Sequence, residues 1–274
     1  MSRSADSNLG PLFSQPLEST NGLTVADLNR YLSAVRKLDD LPAGVELVEG
    51  VYLGDGLGGL KLLPDATVDL IIADPPQSPW EGTDLKGSQM TLSEYYEWNQ
   101  NWLKESRRVL KESGSIYLFS HWRYSGMYQA LLSEVFNVQT RISWQFLNSG
   151  ADRTNRGWRN ALGDIWFASK TGKFYFHNRQ IETEDFRDKL PGSNFWGDIV
   201  DFQRETPPQL KGEKPAAVLK RVIQAGTAKL NWIVDPFMRS GTTGVVAKKM
   251  GRRFIGFEVN RDQLLLAMKR IDQG

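Results

Sequence analysis

Two aspartates in this chain stand where a ligand could be held. Asp74 follows an apolar run of strand length and precedes two prolines, and Asp235 follows a second such run and precedes one proline. Apolar runs of this kind are typical of buried parallel strands that lead into loops. Open α/β sheets bind ligands beyond the carboxyl ends of their strands, where carboxylates can accept hydrogen bonds. We therefore expect Asp74 and Asp235 to face one crevice.

The loop after the second aspartate leads into a helix. Gly241 allows close backbone approach there, and Thr242 or Thr243 can cap the helix. A phosphate-binding loop would need a lysine directly after the glycine, and both that lysine and a GxGxxG pattern are absent. Glu258 ends the next apolar run, about 20 residues further on, where an acid either accepts both hydroxyls of a ribose or is simply solvated. The arrangement suits a cofactor that lies over a strand-to-helix turn.

The two segments together resemble motifs of the amino-methyltransferases. Asp-Pro-Pro-Gln at 74–77 is similar to their catalytic D/S/N-P-P-aromatic motif, and Asp-Pro-Phe-Met-Arg-Ser-Gly-Thr-Thr-Gly at 235–244 is similar to their S-adenosylmethionine (SAM) loop, DPFxGSGTT. The catalytic motif comes first, which is the permuted order of the β-class DNA methyltransferases. The resemblance covers residues 45–271 and implies a SAM-dependent enzyme that methylates an exocyclic amino group in DNA.

The resemblance also implies a set of residues around SAM. Glu258 would hold the ribose, Lys214 matches the tail of a segment beside the cofactor, and Asp55 would lie near the adenine or simply form a turn. Arg239 stands where the family has glycine, so its side chain must turn outward, toward the SAM carboxylate or toward solvent. The implied cofactor residues are Asp55, Lys214, Asp235, Phe237, Arg239, Ser240, Gly241, Thr242 and Glu258.

The Asp-Pro-Pro-Gln segment supplies the implied chemistry. The lone pair of an exocyclic amine is delocalised into the base, so methylation needs acceptors that draw its two hydrogens and favour a pyramidal nitrogen. Asp74 offers a carboxylate, and Pro75 offers a carbonyl in a chain that Pro76 keeps extended; two such acceptors orient one NH₂ and stabilise transition-state charge. Gln77 replaces the aromatic residue that stacks on a flipped base, and Trp80 is the candidate to stack instead. The absence of cysteine excludes the covalent route to C5-methylcytosine.

Contacts to DNA are expected from three places. His121 follows another apolar run and either walls the base pocket or forms a polar turn. Residues 141–179 carry seven Lys or Arg against two acids, which is compatible with phosphate contact or with a solvated loop. We expect the irregular segments 148–160 and 178–211 to form target-recognition loops. The arginines of the first loop are Arg153, Arg156 and Arg159.

Composition narrows the class of protein. The 274 residues suffice for one large α/β domain, and a net charge of +2 does not by itself indicate nucleic acid. With no cysteine and two histidines, a disulfide framework and a thiolate zinc site are excluded, and we expect no metal. No apolar stretch approaches the ~20 residues of a membrane span, and the N-terminus lacks the apolar stretch of a secretion signal. We expect a cytoplasmic enzyme with no membrane partner.

Strands and helices alternate along the chain in the way that an α/β fold requires. We predict strands at 45–51, 68–74, 115–120, 138–146, 164–169, 231–237 and 253–259, with 174–176 as a hairpin arm. We predict helices at 25–38, 93–110, 126–136, 214–225, 242–250 and 261–271. The fold class is α/β, a doubly wound and mostly parallel sheet of the Rossmann-like SAM-methyltransferase type. Residues 21–274 form one domain, with target-recognition loops inserted in 148–211, and residues 1–20 are expected to be disordered.

Several functions fit these features. Methylation of N6 of adenine in double-stranded DNA is favoured, because the family's Asp-Pro-Pro form is commoner for adenine and its Ser-Pro-Pro form for cytosine. N4-cytosine methylation is the alternative within the class. A catalytically weak DNA-binding protein is an alternative because Gln77 and Arg239 depart from the family pattern, and RNA or a small amine is a third kind of substrate. A homodimer and a separate restriction endonuclease remain open as partners.

Overall fold

A computed structural model of the protein describes residues 22–80, 90–146, 160–177, 192–201 and 214–274. The strands are β1 (Arg36–Lys37), β2 (Gly50–Leu53), β3 (Val68–Ala73), β4 (Leu110–Ser120), β5 (Asn137–Phe146), β6 (Leu162–Ser169), β7 (Phe195–Asp201), β8 (Trp232–Asp235) and β9 (Arg253–Glu258). The helices are α1 (Val25–Leu32), α2 (Gly56–Leu62), α3 (Leu92–Val109), α4 (Ser125–Val135), α5 (Ala216–Gly226), α6 (Thr242–Lys249) and α7 (Arg261–Gln273). The disorder predicted for 1–20 and the loop with Arg153, Arg156 and Arg159 lie outside the described residues.

The strands form one nine-stranded sheet in the order β1-β2-β9-β8-β3-β4-β6-β5-β7. The pairs from β1 to β4 are parallel, β6 is antiparallel to both of its neighbours, and β7 is parallel to β5. The predicted doubly wound, mostly parallel α/β sheet is therefore confirmed. Strand β8 lies between β9 and β3, so the ends of the two aspartate-bearing strands are adjacent.

Helices cover both faces of the sheet, which explains the apolar character of its central strands. Ile71 of β3 packs with α2, α3 and α4 on one face, and Leu70 and Ile72 pack with α5, α6 and α7 on the other. All three side chains are at most 1% exposed. Burial on both faces holds β3 rigidly, and the segment that follows it inherits a fixed position.

Some element boundaries differ from the prediction. The strand predicted at 45–51 is β2 at Gly50–Leu53; Val45 is 79% exposed, so its apolar side chain marks no buried face. The helix predicted at 25–38 ends at Leu32, because Arg36–Lys37 pairs with β2 instead. The hairpin arm predicted at 174–176 is absent from the described segment 160–177, where no strand follows β6. Phe174 and Phe176 instead place their rings 5.5 and 5.9 Å from that of Phe167.

Strand β7 lies inside a segment that was predicted to be irregular throughout. It adds to the sheet beside β5 and buries Trp196 and Ile199, while Phe195 and Asp198 are exposed. The register shifts beside Trp144, so the strand does not follow a regular alternation of apolar and polar residues. That irregularity is why the sequence pattern missed it.

No helix among the described residues is long and apolar enough to cross a bilayer. In the same part of the chain, no cluster of three or more His, Cys, Asp or Glu side chains is arranged to hold a metal ion.

Candidate active site

A cavity of about 600 Å³ opens at the carboxyl ends of β2, β3, β8 and β9. It brings together ten of the residues predicted from sequence: Asp55, Asp74, Pro75, Pro76, Gln77, His121, Lys214, Phe237, Arg239 and Glu258. A smaller cavity of about 30 Å³ shares part of this lining and adds Asp235 and Thr242. Asp74 and Asp235 both line the smaller cavity, so the predicted common crevice exists.

The segment after β3 is hydrogen-bonded to a pair of buried tyrosine hydroxyl groups. The Tyr95 hydroxyl donates to the Pro76 carbonyl, and it lies 2.9 Å from the Tyr128 hydroxyl. Both rings are fully buried, Tyr95 on α3 and Tyr128 on α4. The two-proline segment is therefore anchored to the helices that cover this face of the sheet, and Asp74 and Pro75 keep a defined geometry.

Asp74 forms an ion pair that joins distant parts of the chain. Lys214 donates from Nζ to Asp74 Oδ2 at 2.7 Å, and its Nζ lies 5.2 Å from the centroid of the Phe119 ring. The resemblance implied that Lys214 lies beside the cofactor; the structure places it in the cavity lining and in direct contact with the acid of the Asp-Pro-Pro segment. Lys214 fixes the orientation of that carboxylate.

Gln77 also forms hydrogen bonds to Asp74 and to its neighbour Pro75. Its Nε2 donates to Asp74 Oδ1 at 2.9 Å and to the Pro75 carbonyl at 2.7 Å, with the Phe119 carbonyl at 3.3 Å. Its Oε1 accepts a hydrogen bond from the backbone N–H of His121 at 2.6 Å. The carbonyl of Pro75 was expected to be available to a substrate, and in the structure it accepts from Gln77.

Glu258 ends β9 and is only 8% exposed. Its Oε2 accepts from the backbone N–H of Arg239 at 2.8 Å, and its Oε1 accepts from that of Asn260 at 2.7 Å. Burial raises the pKa of Glu258, and these two donors act against the rise. The Val259 backbone N–H also lowers the pKa of this carboxylate, and a carboxylate has about four acceptor positions, so Glu258 can still accept from a ligand.

The loop between β8 and α6 carries two residues in left-handed backbone conformations. Arg239 has φ +51° with an exposed side chain, and Gly241 has φ +79°. Gly241 is the N-cap of α6 and no side chain caps this helix, so the predicted cap by Thr242 or Thr243 is wrong. Only glycine fits at 241, because an added Cβ would lie 2.8 Å from that of Ala267.

Ser240 and Asp235 support this loop from inside the protein. Ser240 is fully buried and bonded to Arg270, outside the lining of both cavities. Asp235 is 4% exposed, and its Oδ1 accepts from the Phe237 N–H at 3.0 Å. Burial raises the pKa of Asp235 to about 7; a hydrogen bond from Thr243 lowers it, and the charges of Asp74 and Glu258 raise it.

Two other predicted residues, Asp55 and Trp80, are exposed to solvent. Asp55 is exposed and caps α2 by accepting from the Gly58 N–H at 2.7 Å, so it forms the turn considered for it and also lines the cavity. Trp80 is 63% exposed and is absent from the described lining of the cavity. Trp80 is therefore not positioned as a wall of the pocket in this conformation.

Sequence reasoning missed several residues of the cavity wall, among them Trp98 and Gly56. The Trp98 ring lies 5.5 Å from that of Phe237 and lines the cavity. Trp98 is three residues after Tyr95 on α3, and this helical spacing could have placed it on the inner face. Gly56 begins α2 so close to β8 that an added Cβ would lie 2.3 Å from the Pro236 carbonyl. No sequence pattern indicates that approach.

Comparison with known proteins agrees with the site. The sequence model of the DNA methylase family matches residues 68–269. A type II methyltransferase of Lactococcus lactis subsp. cremoris, M2.LlaDCHI, is 32% identical over 78% of this chain and 85% of its own. The DNA adenine methyltransferase YhdJ of Escherichia coli (strain K12) is 30% identical over 80% of this chain and 81% of its own.

A solved structure supports the fold independently. The cytosine-N4-specific PvuII DNA methyltransferase matches with a TM-score of 0.66 and 20% identity, over 81% of this chain and 85% of its own. The chain belongs to the DNA methylase family, whose members transfer methyl groups from SAM to DNA. The family and cofactor predicted from the two motifs are thereby confirmed.

Proposed function

We propose that this protein transfers the methyl group of SAM to N6 of adenine in double-stranded DNA, through a base flipped out of the helix. The observation that carries the proposal is the convergence of Asp74 Oδ1 and the Pro75 carbonyl on one amide nitrogen, at 2.9 and 2.7 Å. An NH₂ group held there directs both hydrogens into acceptors, as methylation of an exocyclic amine requires. The adenine-specific relative supports the choice of base.

The residues of the cavity fit SAM. Glu258 is a buried acceptor in the cavity lining that suits a hydroxyl of a ribose, and Phe237 and Trp98 offer apolar surface in the same lining. A cavity of about 600 Å³ lies within the usual size range of small-molecule sites. We place SAM between Glu258 and Asp74, with Asp55 near its adenine.

SAM, when bound, supplies an electrophilic methyl group. Asp74 Oδ1 and the Pro75 carbonyl draw the two N–H hydrogens of the base, and this frees the nitrogen lone pair for attack. Once methylated, the nitrogen would carry one proton too many. Asp74 Oδ1 accepts that proton or passes it to water, while Lys214 holds Oδ2 in place.

The proposal extends to the partners of the enzyme. The type II name of the Lactococcus relative favours a modification enzyme that works beside a separate restriction endonuclease. Methylation of both strands of a duplex would suit a homodimer, which sedimentation can test, and a DNA substrate supports a cytoplasmic location. DNA contacts by Arg153, Arg156 and Arg159 stay a prediction: alanine at all three should weaken DNA binding and reduce its salt dependence.

The test is transfer of a labelled methyl group from SAM to duplex DNA, followed by digestion to nucleosides. We expect N6-methyladenine from the wild type and none from Asp74→Ala, while the exposed Asp39→Ala serves as a matched control with wild-type activity. N4-methylcytosine would keep the chemistry and refute the base. Binding of SAM and DNA without any transfer would refute the enzyme and favour the DNA-binding alternative.

A further inference from the structure

The amide of Gln77 is bound at both of its polar ends. Its NH₂ group donates to Asp74 Oδ1 and to the Pro75 carbonyl, and its oxygen accepts from the His121 backbone N–H. These contacts fix which end of the amide is nitrogen and which is oxygen. If the two were exchanged, the amide oxygen would face the Asp74 and Pro75 oxygens, and the NH₂ group would face the His121 N–H. The site therefore presents two close acceptors, with the Phe119 carbonyl as a third at 3.3 Å, beside one donor, and all of them contact one planar group.

This pattern matches the Watson–Crick edge of two bases. Adenine carries an NH₂ group at C6 next to the acceptor N1, and cytosine carries one at C4 next to the acceptor N3. The amide of Gln77 has the same order of NH₂ and acceptor on one trigonal carbon. Guanine and thymine have the reverse order, a carbonyl oxygen beside an N–H, and would meet repulsion at the two close acceptors and at the donor.

We infer that the Gln77 amide occupies the place of the amino edge of the target base and must leave before the base can enter. The His121 backbone N–H then donates to the ring nitrogen beside the amino group. This inference rests on the proposed function, since it takes the Asp74–Pro75 acceptors to be those that the base uses. Gln77 is half-buried and lines the cavity of about 600 Å³, so its side chain has space into which it can turn.

Gln77 is in this view an internal competitor of the base. A base binds only the fraction of molecules in which Gln77 has turned away, so the apparent dissociation constant exceeds the intrinsic one by the inverse of that fraction. Four hydrogen bonds, one of them to a carboxylate, hold the closed position. If about one molecule in ten is open, removal of the side chain tightens base binding about tenfold.

The experiment measures binding of 2′-deoxyadenosine to protein saturated with S-adenosylhomocysteine, which keeps the nucleoside out of the cofactor site. We expect Gln77→Ala to bind deoxyadenosine about tenfold more tightly than the wild type, with no matching gain for deoxyguanosine. Gln77→Glu keeps the shape but sets a carboxylate against Asp74, so it should also open the pocket and tighten binding. Gln129→Ala, at an exposed glutamine of α4, is the control and should bind like the wild type.

Unchanged or weaker deoxyadenosine binding in Gln77→Ala would overturn the inference, and so would an equal gain for deoxyguanosine. Wild-type affinity for S-adenosylhomocysteine shows that a variant is folded; if Gln77→Ala fails this check, Gln77→Glu decides in its place. If both fail, deoxyadenosine added to ¹⁵N-glutamine-labelled wild type must shift one side-chain NH₂ signal, and no shift would overturn the inference.

Labelled-methyl transfer to DNA with the same preparations separates the inference about Gln77 from the proposed methyltransferase activity. Transfer without a response of Gln77→Ala refutes only the competitor, whereas the response without transfer refutes only the proposed reaction.

Discussion

Asp235, beneath the loop between β8 and α6, should contribute less to the stability of this protein as the pH rises toward neutrality. The perturbation is Asp235→Asn, which keeps the size of the side chain and an oxygen that can accept from the Phe237 N–H. The amide cannot ionise in the buried position. Any dependence on the Asp235 charge therefore appears as a pH-dependent gap in stability between the wild type and the variant.

The size of the gap follows from the pKa of Asp235, which burial raises from 3.8 to about 7. A raised pKa means that the folded state binds the proton more tightly than the unfolded chain, so the contribution of Asp235 to stability is fully present below pH 3.8 and is lost as the pH rises to 7. The whole difference corresponds to about 4 kcal/mol, and the part between pH 5 and pH 8 to about 3 kcal/mol. The asparagine variant does not pay this cost.

Thermal unfolding of the two proteins without ligands, at pH 5 and at pH 8, measures the effect. We expect the melting temperature of Asp235→Asn to rise against the wild type by about 6–12 °C between these pH values. Other carboxylates titrate in both proteins and cancel in the difference. Asp39→Asn, whose side chain is exposed, is the control and should show a constant gap. A constant gap for Asp235→Asn would show that the buried carboxyl is not held protonated, and it would refute the reasoning.

Three further changes test the site. Glu258→Gln turns one acceptor oxygen into a donor facing a backbone N–H, so the dissociation constant for SAM should rise at least about tenfold in a calorimetric titration; an unchanged constant would remove Glu258 from the cofactor site. Arg239→Gly relieves a left-handed residue and should stabilise the protein by about 1 kcal/mol in a denaturant titration, whereas a loss would mean that the arginine side chain stabilises the loop. His121→Pro suits the existing φ of −74° but removes the N–H. In a Gln77→Ala background it should weaken deoxyadenosine binding about tenfold relative to His121→Ala, and equal affinities would count against the backbone donor.

The positions of the two aspartates could be predicted because parallel strands end at one edge of a sheet. Asp74 and Asp235 each follow an apolar run, and the runs are adjacent as β3 and β8. Glu258 was found in the same way, at the end of β9 beside β8. Such residues are placed by secondary structure alone, so their local patterns suffice.

The contacts between these residues could not be predicted. Lys214 and Asp74 are 140 positions apart, and no periodicity relates them. The sequence showed that Gln77 departs from the family's aromatic residue, but not that it bonds to the His121 backbone 44 positions away. These contacts depend on how loops after different strands meet, which is decided by the packing of the whole sheet.

In the absence of a base, Gln77 occupies the acceptors of the site, and this should affect substrate binding more than the chemical step. Acceptor oxygens that are positioned for an amino group destabilise the folded protein if they stay unpaired in a part-buried site. Here Lys214 satisfies one oxygen of Asp74 and Gln77 satisfies the other, together with the Pro75 carbonyl. The acceptors are already at hydrogen-bonding distance from an NH₂ group, so in the proposed reaction the exchange of Gln77 for a base would require little movement of Asp74 and Pro75. The proposed competition therefore predicts that the cost of displacing Gln77 raises KM, while kcat is little affected because the resting state preserves the geometry of the acceptors.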